Sequence, residues 1–177
     1  MALAGIRAGM TVADIGAGEG YYTIRLAERV GAKGRVLAED IIPEVRNRLA
    51  ERVYRERLDN VSVRLGAPAD PKLPAKSFDR ILMVHMYHEI EAPYEFLWRM
   101  RPSLKPGGRV VIVDYHRPAA WHPLRPLMRL VFGRLEPFAM DLWRHDVQTF
   151  LPAAVPPVSV VKTTYFGGLY QLLVLTR

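Results

Sequence analysis

Cysteine is absent from all 177 residues. Disulfides and thiolate metal sites are therefore excluded, and a reducing compartment fits. Long apolar runs are missing too; none approaches the roughly 20 residues of a membrane span. The opening MALAGIRAGM holds one arginine and no long apolar core, so a secretory signal is not expected. Acidic residues are the minority, 18 against 25 Lys and Arg, for a net charge of +7. An excess of that sign favours an anionic partner, whether nucleic acid, a lipid surface or an acidic substrate, or simply makes an arginine-rich solvated surface. Repeats, low-complexity tracts and linkers are also lacking. With half the residues apolar, the expectation is one globular domain over 1–177, cytoplasmic and at most peripheral to a membrane.

What is present alternates. Apolar strands are expected at Thr11–Ile15, Arg35–Asp40, Val61–Leu65 and Asp79–Val84, with a nearly continuous apolar strand at Arg109–Asp114. Between them lie a helix from about Glu19 to Val30 stopped by Gly31, a helix opening at Pro43 with Val45, Leu49 and Val53 on one stripe, and a helix from about Pro93 to Arg101. Lys105-Pro106-Gly107-Gly108 reads as a turn. This order predicts an α/β fold with a parallel sheet and right-handed crossovers. A basic, aromatic helical insert is expected at about 117–151. The tail VSVVKTTYFGGLYQLLVLTR reads as a β-hairpin around Gly167-Gly168.

The first strand runs into VADIGAGEG, with glycines at 16, 18 and 20. A glycine turn from strand to helix presents backbone N–H groups to a ligand without a Cβ in the way. The spacing is not the G-x-G-x-x-G of dinucleotide sites, because Tyr21 stands where the third glycine would fall. No Gly-Lys-Ser/Thr follows either, which excludes a P-loop. Asp40 ends the second strand about twenty residues on, where an acid meets ribose hydroxyls or merely caps the next helix. Asp70 is a further acid, in the loop after the third strand.

VADIGAGEGYYTIRLA, VLAEDIIPEV, the Asp-Pro-x-Leu-Pro-x-x-Ser-Phe-Asp stretch at 70–79, HMYHEI and LKPGGRVVIVDY occur in that order. Together they resemble the class I S-adenosylmethionine-dependent methyltransferases, nearest to the quinone- and lipid-modifying branch. The resemblance covers residues 8–116 and implies a Rossmann-like, doubly wound, seven-stranded sheet whose last strand is antiparallel. It implies that Asp14, Gly16 and Gly18 frame the methionine end of S-adenosylmethionine, with Gly20 allowing close approach. Asp40 would hold the ribose with Ile41 beside it, Asp70 would reach the adenine amino group, and His85 would lie near the methionine moiety. Carboxylates suit a cofactor that carries a sulfonium and an ammonium. Family members usually carry helices before the first strand that cover the cofactor. That lid is nearly absent here, so the insert, a second subunit or a membrane is expected to close the site.

Methyl transfer requires in-line placement of the acceptor, plus a base only when the acceptor must lose a proton. His88 and Tyr87 of HMYHEI are the candidate catalytic residues, against the alternative that they pack the segment after the fourth strand. Tyr21 and Tyr22 are candidates to wall the acceptor pocket. His85, His88 and Glu89 lack a further ligand set, so no metal is expected. In the insert, Arg117, Arg125, Arg129 and Arg134 mix with Trp121, Leu124, Leu127 and Phe132. That mixture fits either packing with arginine heads in water or contact with an anionic membrane. The expected activity is methylation of a small or amphiphilic, quinone- or lipid-like acceptor. An RNA methyltransferase and a non-catalytic module of the same fold are the alternatives. Amino-methylating nucleic-acid enzymes often carry Asn/Asp-Pro-Pro-aromatic after the fourth strand; His85-Met86-Tyr87-His88 stands there instead, which disfavours that subclass and makes nucleic acid an unlikely partner, with an RNA target by another route left open.

Overall fold

The computed structural model describes residues 4–147 and 159–176. Its strands are β1 (Thr11–Ile15), β2 (Arg35–Asp40), β3 (Val61–Leu65), β4 (Phe78–Val84), β5 (Leu104–Tyr115), β6 (Ser159–Tyr165) and β7 (Tyr170–Thr176). They form one sheet in the order β3-β2-β1-β4-β5-β7-β6. β1 to β5 pair in parallel, and β7 runs antiparallel to both β5 and β6. The helices are α1 (Tyr21–Val30), α2 (Pro43–Arg55), α3 (Pro93–Met100), α4 (Arg125–Leu135) and α5 (Asp141–Arg144).

Register fixes where the chemistry sits. Ile15 pairs with Glu39 and with Met83, and Val84 pairs with Val113. The carboxyl ends of β1, β2, β4 and β5 therefore reach one edge of the sheet. Strand order reverses between β1 and β4, the position where open α/β sheets take their ligands.

Alternation along the strands builds two cores. Val12, Val36, Leu82 and Val111 face α1, which buries Leu26, Ala27 and Val30. Ala13, Ile15, Ile81, Met83 and Ile112 face the other way, against Phe96, Leu97 and Met100 of α3 and against Leu142 of α5. Burying each such Leu, Ile or Phe side chain contributes roughly 1.5–3 kcal/mol, so the scaffold can hold buried acids at its edge. α2 opens with Pro43 and Glu44 and closes with Arg52 and Arg55, charges that complement its dipole, and it packs Leu49 against Ala17 and Ala38. β3 is an edge strand with alternating exposure, as its sequence pattern predicts.

Two boundaries differ from the sequence expectation. α1 begins at Tyr21 rather than Glu19, because Gly20 is left-handed at φ 86° and caps it. The expected turn at 105–108 is a bulge inside a longer β5: Phe78 pairs with Leu104 and Arg80 with Arg109, five residues against two. The hairpin turns at Phe166–Gly168, with Gly167 and Gly168 both at positive φ. The expected insert is helical in its described part, through α4, a 3₁₀ turn at Pro137–Met140 and α5. Residues 148–151 of the insert, Val158 of the hairpin and Arg177 lie outside the described residues. α4 buries none of its own residues, although its Phe132 touches the Tyr115 ring at 4.8 Å between centroids.

Candidate active site

The turn between β1 and α1 is shaped by three glycines in the left-handed region, at φ 67° for Gly16, 54° for Gly18 and 86° for Gly20. Each serves a different neighbour. A Cβ on Gly16 would stand 3.0 Å from the Cβ and Cγ of Met86, and one on Gly20 would stand 2.6 Å from Cδ1 of Leu49. The close approach at Gly20 is thus made by α2. At Gly18 nothing lies within 4 Å of the Cβ position, so that glycine leaves the open face of the turn.

Acids surround this turn. The Gly18 N–H donates to Oδ2 of Asp40 at 3.0 Å, and the Ile42 N–H donates to Oδ1 at 2.9 Å. Each carboxylate oxygen keeps acceptor capacity beyond that one bond, enough for a vicinal pair of hydroxyls. Ile41 is about half exposed beside it, an apolar lip. Asp14 is buried and accepts a 2.6 Å hydrogen bond from the Thr23 hydroxyl. Burial raises its pKa to about 6 despite that bond. Asp70 bends back to accept the Lys72 N–H at 2.8 Å, and its other oxygen lies 3.7 Å from Arg99.

Glu39, to which the sequence reading gave no role, is the deepest of these acids, 1% exposed. Its Oε1 has no hydrogen-bond partner among the described residues. That oxygen occupies the space where residue 66 would carry a side chain: a Cβ on Gly66 would fall 1.5 Å from it. Burial raises its pKa to about 8, the charges of Asp40, Asp14 and Asp70 add to the effect, and the Gly16 N–H opposes it. Glu39 is therefore mostly a neutral acid at pH 7. The aspartates at 14, 40 and 70 make this turn a poorer place for a phosphate than for a cation.

Just past β4 the chain turns at His85, held in the left-handed region at φ 54°, with its N–H donated to the Val113 carbonyl at 2.9 Å. The imidazole lies against Tyr115 and Tyr170, at 5.0 and 5.2 Å between centroids. Burial lowers its pKa. With Tyr22, Phe166 and Tyr170 it lines a cavity of about 530 Å³ that continues over Val84 and Val113. Tyr21 is not part of that wall. It is exposed, with the Arg25 guanidinium 3.7 Å above its ring. The Tyr21 ring meets that of Tyr22 edge to face, 5.0 Å between centroids, on the side of α1 away from the cavity.

Tyr87 and His88 form a 3₁₀ turn with Glu89. Tyr87 joins the core beside Phe96, 2% exposed, with no partner for its hydroxyl among the described residues. Burial pushes its phenol well above the ordinary value, which suits packing rather than proton exchange. His88 is held differently. Its Nδ1 lies 2.8 Å from Oδ1 of Asp114, its N–H donates to Oδ2 at 3.1 Å, and its Nε2 faces Glu136 at 3.5 Å. Burial disfavours the imidazolium, but the Asp114 hydrogen bond and the charges of Asp114, Glu89 and Glu136 outweigh it and raise the pKa. Asp114 and Glu136 carried no role in the sequence reading. The signal for Asp114 was an acid closing an apolar strand, the same signal that singled out Asp40. Among the described residues, no three of His, Asp and Glu are arranged to hold a metal ion.

The sequence matches the methyltransferase-domain family over residues 6–149. It is 36% identical over 142 residues to a demethylmenaquinone methyltransferase of Tropheryma whipplei, covering 80% of this chain and 56% of that one. It is 31% identical to a ubiquinone/menaquinone biosynthesis C-methyltransferase of Pseudoalteromonas translucida, covering 97% of this chain and 76% of the relative. The crystal structure of a SAM-dependent methyltransferase from Aquifex aeolicus has a TM-score of 0.73 to this fold at 25% identity, covering 99% of this chain and 86% of that chain. The chain thus spans little more than half the length of the Tropheryma protein.

Proposed function

The chain belongs to the class I S-adenosylmethionine-dependent methyltransferase family, and from that premise we propose that it methylates a small, amphiphilic, quinone-like acceptor. One observation carries this reading: a cavity of about 530 Å³ is lined by Tyr22, in the first turn of α1 after the glycine turn, and by His85, just past β4. The names of the Tropheryma and Pseudoalteromonas relatives support a quinone acceptor.

The residues present fit the cofactor. Asp40 has acceptor capacity left for ribose hydroxyls, with Ile41 as an apolar contact. The open face at Gly18 admits a ligand against backbone, with Asp14 and Gly16 completing that end of the turn. Asp70 is the candidate partner for the adenine amino group, and His85 stands near the methionine end. When bound, S-adenosylmethionine supplies an electrophilic methyl on a positively charged sulfur. The chain's own contribution is to neutralise that charge with its acids and to exclude water with the rings of Tyr22, His85 and Tyr170. His88 is the proposed proton acceptor for a hydroxylated acceptor ring, and Asp114 fixes which imidazole nitrogen is free to act. Transfer would exchange the methyl carbon–sulfur bond for one from methyl to the acceptor, the old bond's electron pair staying on sulfur, and the acceptor's proton would pass to Nε2 of His88, beside Glu136.

No helix among the described residues is long and apolar enough to cross a membrane. Trp121, Leu124, Leu127, Leu130, Leu135 and Phe138 are exposed around α4, and this supports peripheral contact at the cytoplasmic face, where an apolar quinone would be met. Calorimetry with S-adenosylmethionine and S-adenosylhomocysteine, followed by transfer of labelled methyl to a demethylmenaquinol analogue, tests the reading. Binding with transfer is expected. Binding without transfer to any quinol would overturn the acceptor, and binding of neither ligand would overturn the activity itself.

A further inference from the structure

A second cavity, of about 940 Å³, lies apart from the sheet-edge site. It opens between the segment after β5, the stripe of α4 that carries Arg125, Arg129 and Gly133, and the chain around α5. Arg117, Arg125, Arg129, Arg144 and His122 line it. Arg125 and Arg129 are one helical turn apart, so both heads reach the same space. Gly133, next on that stripe, leaves the floor clear, with nothing within 4 Å of its Cβ position. Pro123, Pro126 and Pro137 stiffen the rim.

The charge here is uncompensated. Among the described residues no ion pair or hydrogen bond engages the guanidinium of Arg117, Arg125 or Arg129, and Arg144 is held only by Asp141 at 3.3 Å. The other acids of the segment are engaged elsewhere. Glu136 faces His88, and Asp146 pairs with Lys162 at 2.6 Å. Guanidinium groups present parallel N–H pairs that match the oxygens of a phosphate, and four of them in one cleft exceed what a single carboxylate would use. The acids at the glycine turn would repel the same anion, so the two sites select opposite charges on one chain.

We propose that this cleft binds a phosphate monoester or diphosphate group. The group belongs either to a lipid headgroup or to a soluble phosphate ester. The inference stands on the cleft alone and does not depend on methyl transfer.

The test uses the full chain, with pyrophosphate in calorimetry and vesicles of phosphatidylcholine with or without phosphatidic acid in flotation. Wild type is expected to bind pyrophosphate, and R125Q/R129Q to bind it about tenfold more weakly or worse, since two charge-assisted contacts are lost. R48Q/R55Q, which removes the same charge from α2, is expected to bind as wild type does. An unchanged circular dichroism spectrum and urea midpoint report that each variant is folded; if R125Q/R129Q fails that check, R117Q/R144Q replaces it. Flotation with phosphatidic acid alone among the vesicles assigns the ligand to a lipid headgroup. Pyrophosphate binding without flotation assigns it to a soluble ester. No binding of either probe, or equal loss in both double variants, would overturn the proposal.

Discussion

Glu39→Gln isolates the buried acid beneath the glycine turn. In the folded chain the Glu39 carboxyl is pushed up from 4.5 to about 8, and glutamine keeps its shape against Gly66 while remaining neutral at every pH. Below about pH 4.5 both folded and unfolded wild type hold this proton. Between 4.5 and 8 the folded state keeps it while the unfolded chain gives it up, so the stability this proton contributes is lost as pH rises through that window. At 1.36 kcal/mol per pH unit, the interval from 4.5 to about 8 is worth about 5 kcal/mol. That is a large share of the 5–15 kcal/mol typical of a domain. Asp14 behaves similarly, but it is common to both proteins and cancels. Urea unfolding followed by circular dichroism at pH 5, 6, 7 and 8 measures the difference. Glu39→Gln should gain on wild type by roughly 1.4 kcal/mol per pH unit across the window. Parallel curves would refute the reasoning, because they would mean that Glu39 is ionised when folded and that its Oε1 has found a partner.

Three other substitutions probe the same edge of the sheet. Gly66→Ala places a methyl 1.5 Å from Oε1 of Glu39 and should destabilise by about 1–3 kcal/mol, with much of the loss removed in a Glu39→Ala background; additive effects in denaturant unfolding would count against the contact. Asp40→Ala removes the acceptor of the Gly18 and Ile42 N–H groups along with the proposed ribose contact. Calorimetry should then show S-adenosylhomocysteine binding weakened by at least about tenfold, and undiminished affinity would sink that assignment. His88→Ala should slow methyl transfer by about 10²–10⁴-fold if His88 accepts the proton. In wild type the rate should fall as pH drops through the raised imidazole pKa, and Asp114→Asn should move that limb to lower pH because it removes the carboxylate charge that favours the imidazolium. A pH–rate profile identical in Asp114→Asn would exclude the dyad from the reaction.

Strand bounds at β1, β2 and β3 were legible because each is a short apolar or alternating run ended by a turn residue. The extension of β5 was not legible: Leu104 becomes a strand residue only by pairing with Phe78, a contact across 26 positions. The acids at 14, 40 and 70 could be picked out, but not what each carboxylate would meet. Glu39 and Asp40 are adjacent in the sequence, and strand alternation turns them to opposite faces. That Oε1 of Glu39 lies over Gly66 without a hydrogen-bond partner among the described residues is a matter of packing. Gly20 looked like clearance for a ligand, and the neighbour that needs the space is Leu49, brought there by α2. The His88–Asp114 pair follows from two strands reaching one edge in register, which periodicity alone does not reveal.

Among the described residues α4 buries none of its own, and its Phe132 meets the rings of Tyr115 and Trp143. A segment attached in this way can drift under mutation without the sheet registering the change. Substitutions on its outer surface leave the glycine turn, the acids and both cores as they were. The surface that this segment shows to its surroundings can therefore diverge between related chains while the edge of the sheet stays constant. For an engineer, the outward face of α4 is the exchangeable part, while Ala139, Leu142 and Val147 beyond it are buried and have to be kept.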